Sequence, residues 1–186
     1  MASITSNVKY TYEDYELFPD DGRRHELIEG EHYVTPSPFA KHQSTVVKLT
    51  IRLGGVVEQR RLGWLFVAPF DVVLSDLDVV QPDLLFVSAK CAEVLTEKHV
   101  RGAPDLVVEV LSESTRRTDE IVKRKLYERF GVREYWVVDP VLESVKVYRL
   151  EEGAFRRAAE LTAEAGDALE TPLFPGLAIP LSEIFE

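Results

Sequence analysis

A single carboxylate interrupts one of the most apolar segments of the chain. Glu109 lies within the segment Leu106–Leu111, and the remaining five residues of that segment are all branched aliphatics. Such a run predicts a strand that is buried on both faces. Because an unpaired buried charge is strongly destabilising, Glu109 must meet a proton, a cation or a metal ion there. Glu109 is therefore a candidate site residue, and the alternative is that it pairs with a buried cation such as Arg133.

Two further polar residues stand at structurally meaningful positions. Asp83 opens an apolar strand predicted over residues 83–87, and Lys123 lies in the helix predicted after the Glu109 strand. If strand 83–87 lies beside strand 105–111, both carboxylates can face one cleft, and two oxygen ligands without a nearby His or Cys suit Mg2+ or Mn2+. Such an ion can hold a phosphate and activate a water molecule. A lysine beside the ion can orient that water or stabilise developing negative charge.

A competing carboxylate, Asp105, also follows a proline. It is four residues from Glu109 on one predicted strand, so at ~3.3 Å per residue the two side chains lie about 13 Å apart. That separation is too large for one ion with ligand distances of ~2.0–2.1 Å. Asp105 is therefore predicted to be a strand-start or turn residue, and Asp83 is the better partner for Glu109.

The helix that follows offers two lysines for the site. Asp119, Lys123 and Tyr127 are spaced four residues apart and form one stripe. Lys125 lies about 200° away from Lys123 around the helix axis, so only one of the two lysines can face the sheet. Lys123 is predicted to reach the site because it borders the apolar face of the helix.

The formal net charge of -10 counts against broad affinity for nucleic acid, which depends on neutralising phosphates. The segment 116–129 is nevertheless basic, with six basic residues against three acidic ones. Arg116, Arg117 and Lys125 are predicted to contact DNA phosphates. The alternative is a solvated helix face carrying intrahelical ion pairs.

Composition bounds the class of protein. The 186 residues, 45% of them hydrophobic, suit one folded domain covering 1–186. No apolar stretch approaches the ~20 residues of a membrane span, and Met1–Tyr15 lacks the pattern of a signal peptide. One cysteine excludes an internal disulfide, which fits a cytoplasmic location.

Periodicity and turn residues predict an α/β domain with a mixed sheet flanked by helices near 38–60 and 116–130. A short helix over 11–18 and a hairpin of strands 26–28 and 32–34 precede the first of these long helices, and the second is capped by Ser112 or Ser114. The remaining predicted strands are 64–67, 70–74, 83–87, 105–111, 134–138 and a closing hairpin of 145–150 and 155–161. The tail is predicted to be a loop that ends in a short amphipathic turn.

Several ordered motifs resemble those of the Uma-two family, which consists of restriction-endonuclease-like proteins in the PD-(D/E)XK nuclease superfamily. They are Ala103–Ser112, Asp119 with Lys123 and Tyr127, Gly131–Pro140, His25–Gly30 and Gln81–Leu84. The resemblance runs from about residue 10 to the C-terminus. It implies a restriction-endonuclease-like core with an N-terminal hairpin and a C-terminal β-hairpin. It also implies Asp83 as the motif aspartate, Glu109 as the motif acid, Mg2+ or Mn2+ as cofactor, DNA as substrate and a homodimer.

The chain departs from the superfamily pattern at Leu111, where a lysine is expected two residues after Glu109. The resemblance suggests that Lys123 replaces it; otherwise the chain binds metal without cutting. Glu26 is a fourth candidate, as an additional ligand or an orienting group, with a surface strand residue as the alternative. Gln81 and His42 are candidates for the lining of the same pocket, although a helix-surface position is the favoured interpretation for His42.

Two functions follow from these residues. The leading hypothesis is a metal-dependent endonuclease that hydrolyses DNA phosphodiester bonds, with Asp83, Glu109, Lys123 and Glu26 at its centre. The alternative is a non-catalytic nucleic-acid-binding or scaffold protein that retains the nuclease fold, which the net charge and Leu111 favour.

Overall fold

A six-stranded mixed sheet forms the centre of the fold in the computed structural model, which describes residues 8–186. The first part of the Met1–Tyr15 stretch, for which no signal peptide is predicted, lies outside the described residues. The strands are β1 (Arg24–Ile28), β2 (Glu31–Thr35), β3 (Gly63–Val67), β4 (Val72–Ser75), β5 (Asp78–Val80), β6 (Leu84–Ser88), β7 (Val100–Arg101), β8 (Leu106–Val110), β9 (Glu134–Asp139), β10 (Ser144–Glu151), β11 (Ala154–Thr162), β12 (Ala168–Glu170) and β13 (Ala178–Pro180).

Within residues 8–186, four α-helices accompany the strands: α1 (Tyr12–Tyr15), α2 (Ala40–Arg60), α3 (Arg124–Phe130) and α4 (Ser182–Phe185). A 3-10 helix covers Ala89–Val94, and a π-helical turn over Thr118–Lys123 leads into α3. Gly131, with a left-handed φ of 82°, ends α3, which agrees with the predicted end of this helix near residue 130. No helix among residues 8–186 combines the length and the hydropathy needed to cross a bilayer.

The central sheet has the order β11-β10-β9-β8-β6-β3. Its strands pair antiparallel except for β8 and β9, which are parallel. A parallel pair needs a long crossover, and here the crossover carries α3. Strand β6 pairs with β8 in a register that joins Leu84 to Val108, so Asp83 and Glu109 fall at the next opposed positions. The condition under which Asp83 and Glu109 can face one cleft, that these two strands are neighbours, is therefore met.

The two faces of β8 are covered by different helices, because alternate residues of a strand point in opposite directions. Val108 and Val110 pack in a cluster with Leu49 and Leu53 of α2. The residues on the other face, Val107 and Leu111, pack in a cluster with Leu126 and Tyr127 of α3. Glu109 shares the second face, and the helix that carries Lys123 therefore covers it.

A second sheet, of order β2-β1-β5-β4-β7, is formed by strands from the N-terminal part of the sequence. Its β1–β2 hairpin turns through Glu29 and Gly30, which both have positive φ, at 53° and 75°. Such angles are typical of the two-residue turns that match the twist of antiparallel strands. The hairpin matters for function because β1 carries Arg24 and Glu26 on one face.

The mixed sheet flanked by helices, the N-terminal hairpin and the C-terminal β10–β11 hairpin confirm the predicted fold class. Some elements differ. The first helix is limited to Tyr12–Tyr15, and the short strands β5 and β7 were not predicted. The tail, predicted to be a loop, contains the β12–β13 pair.

Candidate active site

A buried lysine holds three carboxylates together. Lys123 Nζ lies 2.8 Å from Glu26 Oε1, 3.0 Å from Glu109 Oε1 and 3.6 Å from Asp119 Oδ1. Burial by itself lowers the pKa of Lys123, but the charges of Glu109, Glu26 and Asp119 raise that pKa well above its ordinary value. The neighbouring carboxylates therefore favour the ammonium form of Lys123, which donates hydrogen bonds to them.

Glu109 is buried, as its apolar sequence context predicts. Its Oε1 accepts hydrogen bonds from Lys123 Nζ at 3.0 Å and from the Tyr127 hydroxyl at 2.8 Å. Oε2 makes no hydrogen bond to any described residue. Burial raises the pKa of Glu109 to about 8, against the opposing charge of Lys123, with repulsion from Asp119 and Asp83 acting in the same direction as burial. The ionised form of Glu109 therefore lacks sufficient compensating positive charge.

Asp83 sits at the start of β6 and is held from three directions. Its Oδ1 accepts from Arg24 Nη1 at 2.8 Å and lies 3.2 Å from His42 Nε2, while Oδ2 accepts the Val110 N–H at 2.8 Å. Burial would raise the pKa of Asp83, but the His42 hydrogen bond and the Arg24 charge keep it below its ordinary value. Asp83 is therefore an ionised carboxylate whose position is fixed by β8 itself.

Glu26 supports Lys123 from the second sheet. It lies on β1, is 3% exposed, and accepts hydrogen bonds at its Oε1 from Lys123 Nζ and from the backbone N–H of Gln81, both at 2.8 Å. The alternative of a surface strand residue is therefore wrong. Arg24 occupies the same face two residues earlier, so one strand supplies both a partner of Asp83 and a partner of Lys123.

The π-helical turn begins the stripe of Asp119, Lys123 and Tyr127 that the sequence predicts. Asp119 and Lys123 are its two buried residues, and Tyr127 follows one turn later in α3. Burial raises the pKa of Asp119 to about 6, although Lys123 opposes this shift. Lys125 is exposed on the other side of the helix, as the helical angle predicts. π-Helical turns inside helices occur frequently at functional sites, where they adjust which side chains face inward.

These groups line an open cavity of about 310 Å³. Its lining includes Asp119, Lys123 and the Ser112–Thr115 segment, together with residues of the β2–α2 connection. An adjoining cavity of about 350 Å³ has four lining residues in common with the first one: Arg24, Pro38, His42 and Asp83. Asp83 and Glu109 thus face one cleft, as expected if their strands are neighbours.

The charge balance of the cluster bears on a metal ion. Four carboxylates, those of Glu26, Asp83, Glu109 and Asp119, meet two cations, those of Arg24 and Lys123. The cluster therefore has a formal excess of two negative charges, which one divalent cation would neutralise. Among residues 8–186, no group of three acidic, His or Cys side chains is arranged to hold a metal. Mg2+ needs fewer, because it commonly binds through one or two carboxylates and keeps several waters. The Asp83 and Glu109 pair fits that mode.

Asp105 and Arg133 belong together, away from the cluster. Asp105 accepts the Ser88 N–H at 2.7 Å and Arg133 Nη1 at 2.8 Å. Asp105 thus joins the start of β8 to the end of β6, as a strand-start residue should. Glu109 does pair with a buried cation, but that cation is Lys123 and not Arg133, which pairs with Asp105.

Gln81 and His42 lie in positions that differ from their sequence interpretations. The Gln81 side chain donates to Asp71 at 2.7 Å and to Tyr15 at 3.1 Å, and it lines the adjoining cavity instead of the Glu109 cavity. Its backbone reaches the site, through the N–H bonded to Glu26. His42 is not a helix-surface residue: it is 6% exposed and lines both cavities, with an Nδ1 that has no hydrogen-bond partner in the described part of the chain.

The basic segment 116–129 is largely engaged within the protein. Arg116 lies 2.7 Å from Asp139, Arg124 stacks over the Tyr148 ring, and Arg129 binds Asp78 and Glu29. Lys123 is buried in the cluster. Arg117 and Lys125 are exposed and have no ion-pair partner among the described residues. The three predicted phosphate contacts stay predictions, and Arg116 would have to leave Asp139 to make one.

The sequence interpretation missed two functional features. Arg24 binds Asp83 across 59 positions of the chain, and its one signal was the shared face with Glu26 on an alternating strand. Tyr127 was placed on the correct stripe without a role, although its hydroxyl hydrogen-bonds Glu109. A buried tyrosine hydroxyl needs a partner, which could have pointed to the carboxylate.

Comparison with known proteins identifies the family of the chain and a solved structure with a similar fold. The family model described as "Putative restriction endonuclease", Uma2, matches residues 12–182, and the chain belongs to that family. The crystal structure of a "putative nuclease belonging to DUF820" from Anabaena variabilis is similar, with a TM-score of 0.79 and 20% sequence identity over 94% of this chain and 97% of that one. At that identity the likeness shows a common fold. No curated protein matches the sequence.

Proposed function

We propose that this member of the Uma2 family is a metal-dependent phosphodiesterase that hydrolyses DNA, with Mg2+ or Mn2+ held by Asp83 and Glu109. One observation carries the proposal. The ammonium group of Lys123 lies 3.0 Å from Glu109 although the motif position two residues after Glu109 is Leu111. This contact supports the proposal that Lys123, from a helix, takes the role of the lysine that the strand lacks.

Under this proposal, each residue around the site has a role that follows from its position. A divalent cation, when bound, would neutralise phosphate oxygens and make a coordinated water more acidic. Lys123, in its ammonium form, can orient the attacking water or stabilise negative charge that develops on the phosphate. Glu26 and Tyr127 fix the positions of Lys123 and Glu109 through hydrogen bonds of 2.8 Å each. Arg24, His42 and the Val110 N–H hold Asp83.

The charge state of the cluster supports the same assignment. Without a bound metal ion, burial raises the pKa of Glu109 to about 8, and the cluster contains more carboxylates than cationic side chains. A bound divalent ion would favour the ionised form of Glu109, since opposite charge lowers the pKa of a carboxyl group. Oε2 of Glu109 is available for such an ion, because only Oε1 is bound by Lys123 and Tyr127.

The test is cleavage of supercoiled plasmid and of single-stranded DNA in Mg2+ or Mn2+. Asp83→Asn and Glu109→Gln should abolish cleavage while melting temperature shows that both variants fold. Asp105→Asn is the matched control, because it removes a buried carboxylate at the other end of β8 that lines neither cavity. Equal loss in all three variants would indicate a general structural effect, and undiminished cleavage in Glu109→Gln would refute the assignment.

The second candidate function is that of a protein that retains the nuclease fold but does not cut DNA. Lys123 is already bound by three carboxylates, and the chain carries a net charge of -10. Both facts favour a non-cutting protein that binds nucleic acid or another partner. Electrophoretic mobility shifts with and without Mn2+, at low and high salt, separate the two: metal-independent binding without cleavage of any DNA form supports the second function.

A further inference from the structure

The rim of the Glu109 cavity carries an exposed aromatic side chain. Phe39 lines the cavity and is 77% exposed, at the N-cap position of α2. Its backbone is held in place, because its carbonyl oxygen accepts the Gln43 N–H at 3.1 Å and Pro38 precedes it. Its ring makes no aromatic contact with the described residues. The chain therefore presents a flat apolar surface at a fixed point beside the proposed phosphate site.

The charges around the same cavity disfavour recognition through a long phosphate backbone. The two cations in its lining, Arg24 and Lys123, have side chains only 19% and 5% exposed and are bound by carboxylates. The exposed charge on its rim is the carboxylate of Glu113. A protein that binds along a duplex needs several exposed Lys or Arg side chains that contact the phosphates. Contacts from neutral groups must therefore contribute to substrate binding here.

Stacking on a base is the neutral contact that this rim can make. An aromatic side chain stacks on any exposed base because every base has a π-face. In a duplex those faces are covered by neighbouring bases, and uncovering one is energetically unfavourable. A ring at the mouth of the cavity would thus distinguish unpaired from paired nucleotides without reading their sequence.

Resting on the proposed function, we propose that Phe39 stacks on an unpaired base next to the phosphate held at Asp83 and Glu109, and that the preferred substrate is single-stranded DNA. Isolated exposed apolar residues are ordinary on protein surfaces. Ile51, 64% exposed on the same helix, is one of these and lines neither cavity. The location of Phe39, and not its exposure alone, is what assigns it a role.

The test measures fluorescence anisotropy of a labelled single-stranded oligonucleotide and of its duplex in Ca2+, which takes the same kind of oxygen ligand. The parent should bind the single strand more tightly than the duplex. Phe39→Ala should weaken single-strand binding about 5- to 150-fold. Phe39→Leu should weaken it similarly, because leucine keeps the apolar bulk without the π-face, and Phe39→Trp should preserve it. Ile51→Ala is the matched control and should bind like the parent.

The outcomes separate this inference from the proposed function. Single-strand binding by Phe39→Ala at the level of the parent, a parent that prefers duplex, or a parent that binds neither form would overturn the role of Phe39. The metal site is tested separately, by Mn2+ titration of the same preparations. If Mn2+ binds and depends on Glu109 while Phe39→Ala is unchanged, the inference alone fails. If no Mn2+ binds, the proposed function fails whatever the DNA does.

Discussion

Lys123 Nζ and Glu109 Oε1 lie 3.0 Å apart although the residues are 14 positions apart and belong to different elements, a π-helical turn and a central strand. The contact exists because the crossover between the parallel strands β8 and β9 covers the face of the sheet that carries Glu109. The crossover therefore brings Lys123 to Glu109, while Leu111 packs in the apolar cluster on the same face.

Lys123→Arg separates the charge of this residue from its shape. The substitution keeps a cation among Glu26, Glu109 and Asp119, so the fold should survive. The planar guanidinium cannot place its donors where Nζ lies, and cleavage should fall by about 100- to 1,000-fold, the typical effect of removing one stabilising donor. Plasmid nicking under saturating Mn2+ measures the loss.

Lys123→Met is the complementary change, since it removes the cation and leaves buried carboxylates facing one another. We expect a loss of about 3–5 kcal/mol in the free energy of unfolding, measured by urea denaturation. Equal stability of Lys123→Met and the parent would show that the carboxylates are not held together by this ammonium group.

Glu26→Gln tests whether this residue orients Lys123 or binds the metal. The amide keeps the shape and can still accept hydrogen bonds, but it removes one of the three charges around Nζ. As an orienting residue, Glu26 should affect cleavage by about 10- to 100-fold while Mn2+ affinity stays within a few-fold of the parent. Loss of Mn2+ binding in this variant would instead make Glu26 a ligand.

Tyr127→Phe removes one hydroxyl from the buried surroundings of Glu109. The lost hydrogen bond, at 2.8 Å to a carboxyl group whose pKa is raised to about 8, should lower stability by about 0.5–1.5 kcal/mol. Mn2+ affinity should fall by about tenfold because Glu109 is less firmly oriented. Calorimetric titration and thermal melting check the two effects, and Tyr148→Phe, a partly buried tyrosine on β10, is the control.

Acid stability should depend on Asp105. Burial would raise its pKa, but hydrogen bonds from Ser88 and Arg133 hold it below the ordinary value. A carboxyl whose folded pKa is depressed adds stability above its unfolded pKa of ~3.9, and this contribution is lost as the pH falls through the folded pKa. Between pH 7 and the acid transition, stability should therefore fall less in Asp105→Asn than in the parent. Parallel pH profiles of unfolding for the two proteins would contradict this role.

The sequence predicts the central elements of the fold because they are long and strongly patterned. The run around Glu109 and the helical spacing of Asp119, Lys123 and Tyr127 depend on local periodicity, which the structure preserves. Strands β5 and β7 have three and two residues, too few for an alternating pattern to be recognised. They exist because neighbouring strands of the second sheet pair with them.

The candidate site could be predicted only as far as its groups follow from local pattern. Glu109 was found because burial of an acid is costly wherever the strand lies. Arg24 and His42 reach Asp83 only because a hairpin and the start of α2 meet at the end of β6, contacts that span 59 and 41 positions. No periodicity within either segment encodes that meeting, so Arg24 was missed and His42 was interpreted as a surface residue.

The most direct test of the metal site is calorimetric titration of Mn2+ into the parent protein and into Glu109→Gln. Because burial raises the pKa of Glu109 to about 8 in the absence of a metal ion, the neutral glutamine should be tolerated and the variant should fold. We predict saturable binding of one ion to the parent and no binding to Glu109→Gln. Equal Mn2+ binding by both proteins, or binding by neither, would contradict the assignment of Asp83 and Glu109 as a metal site.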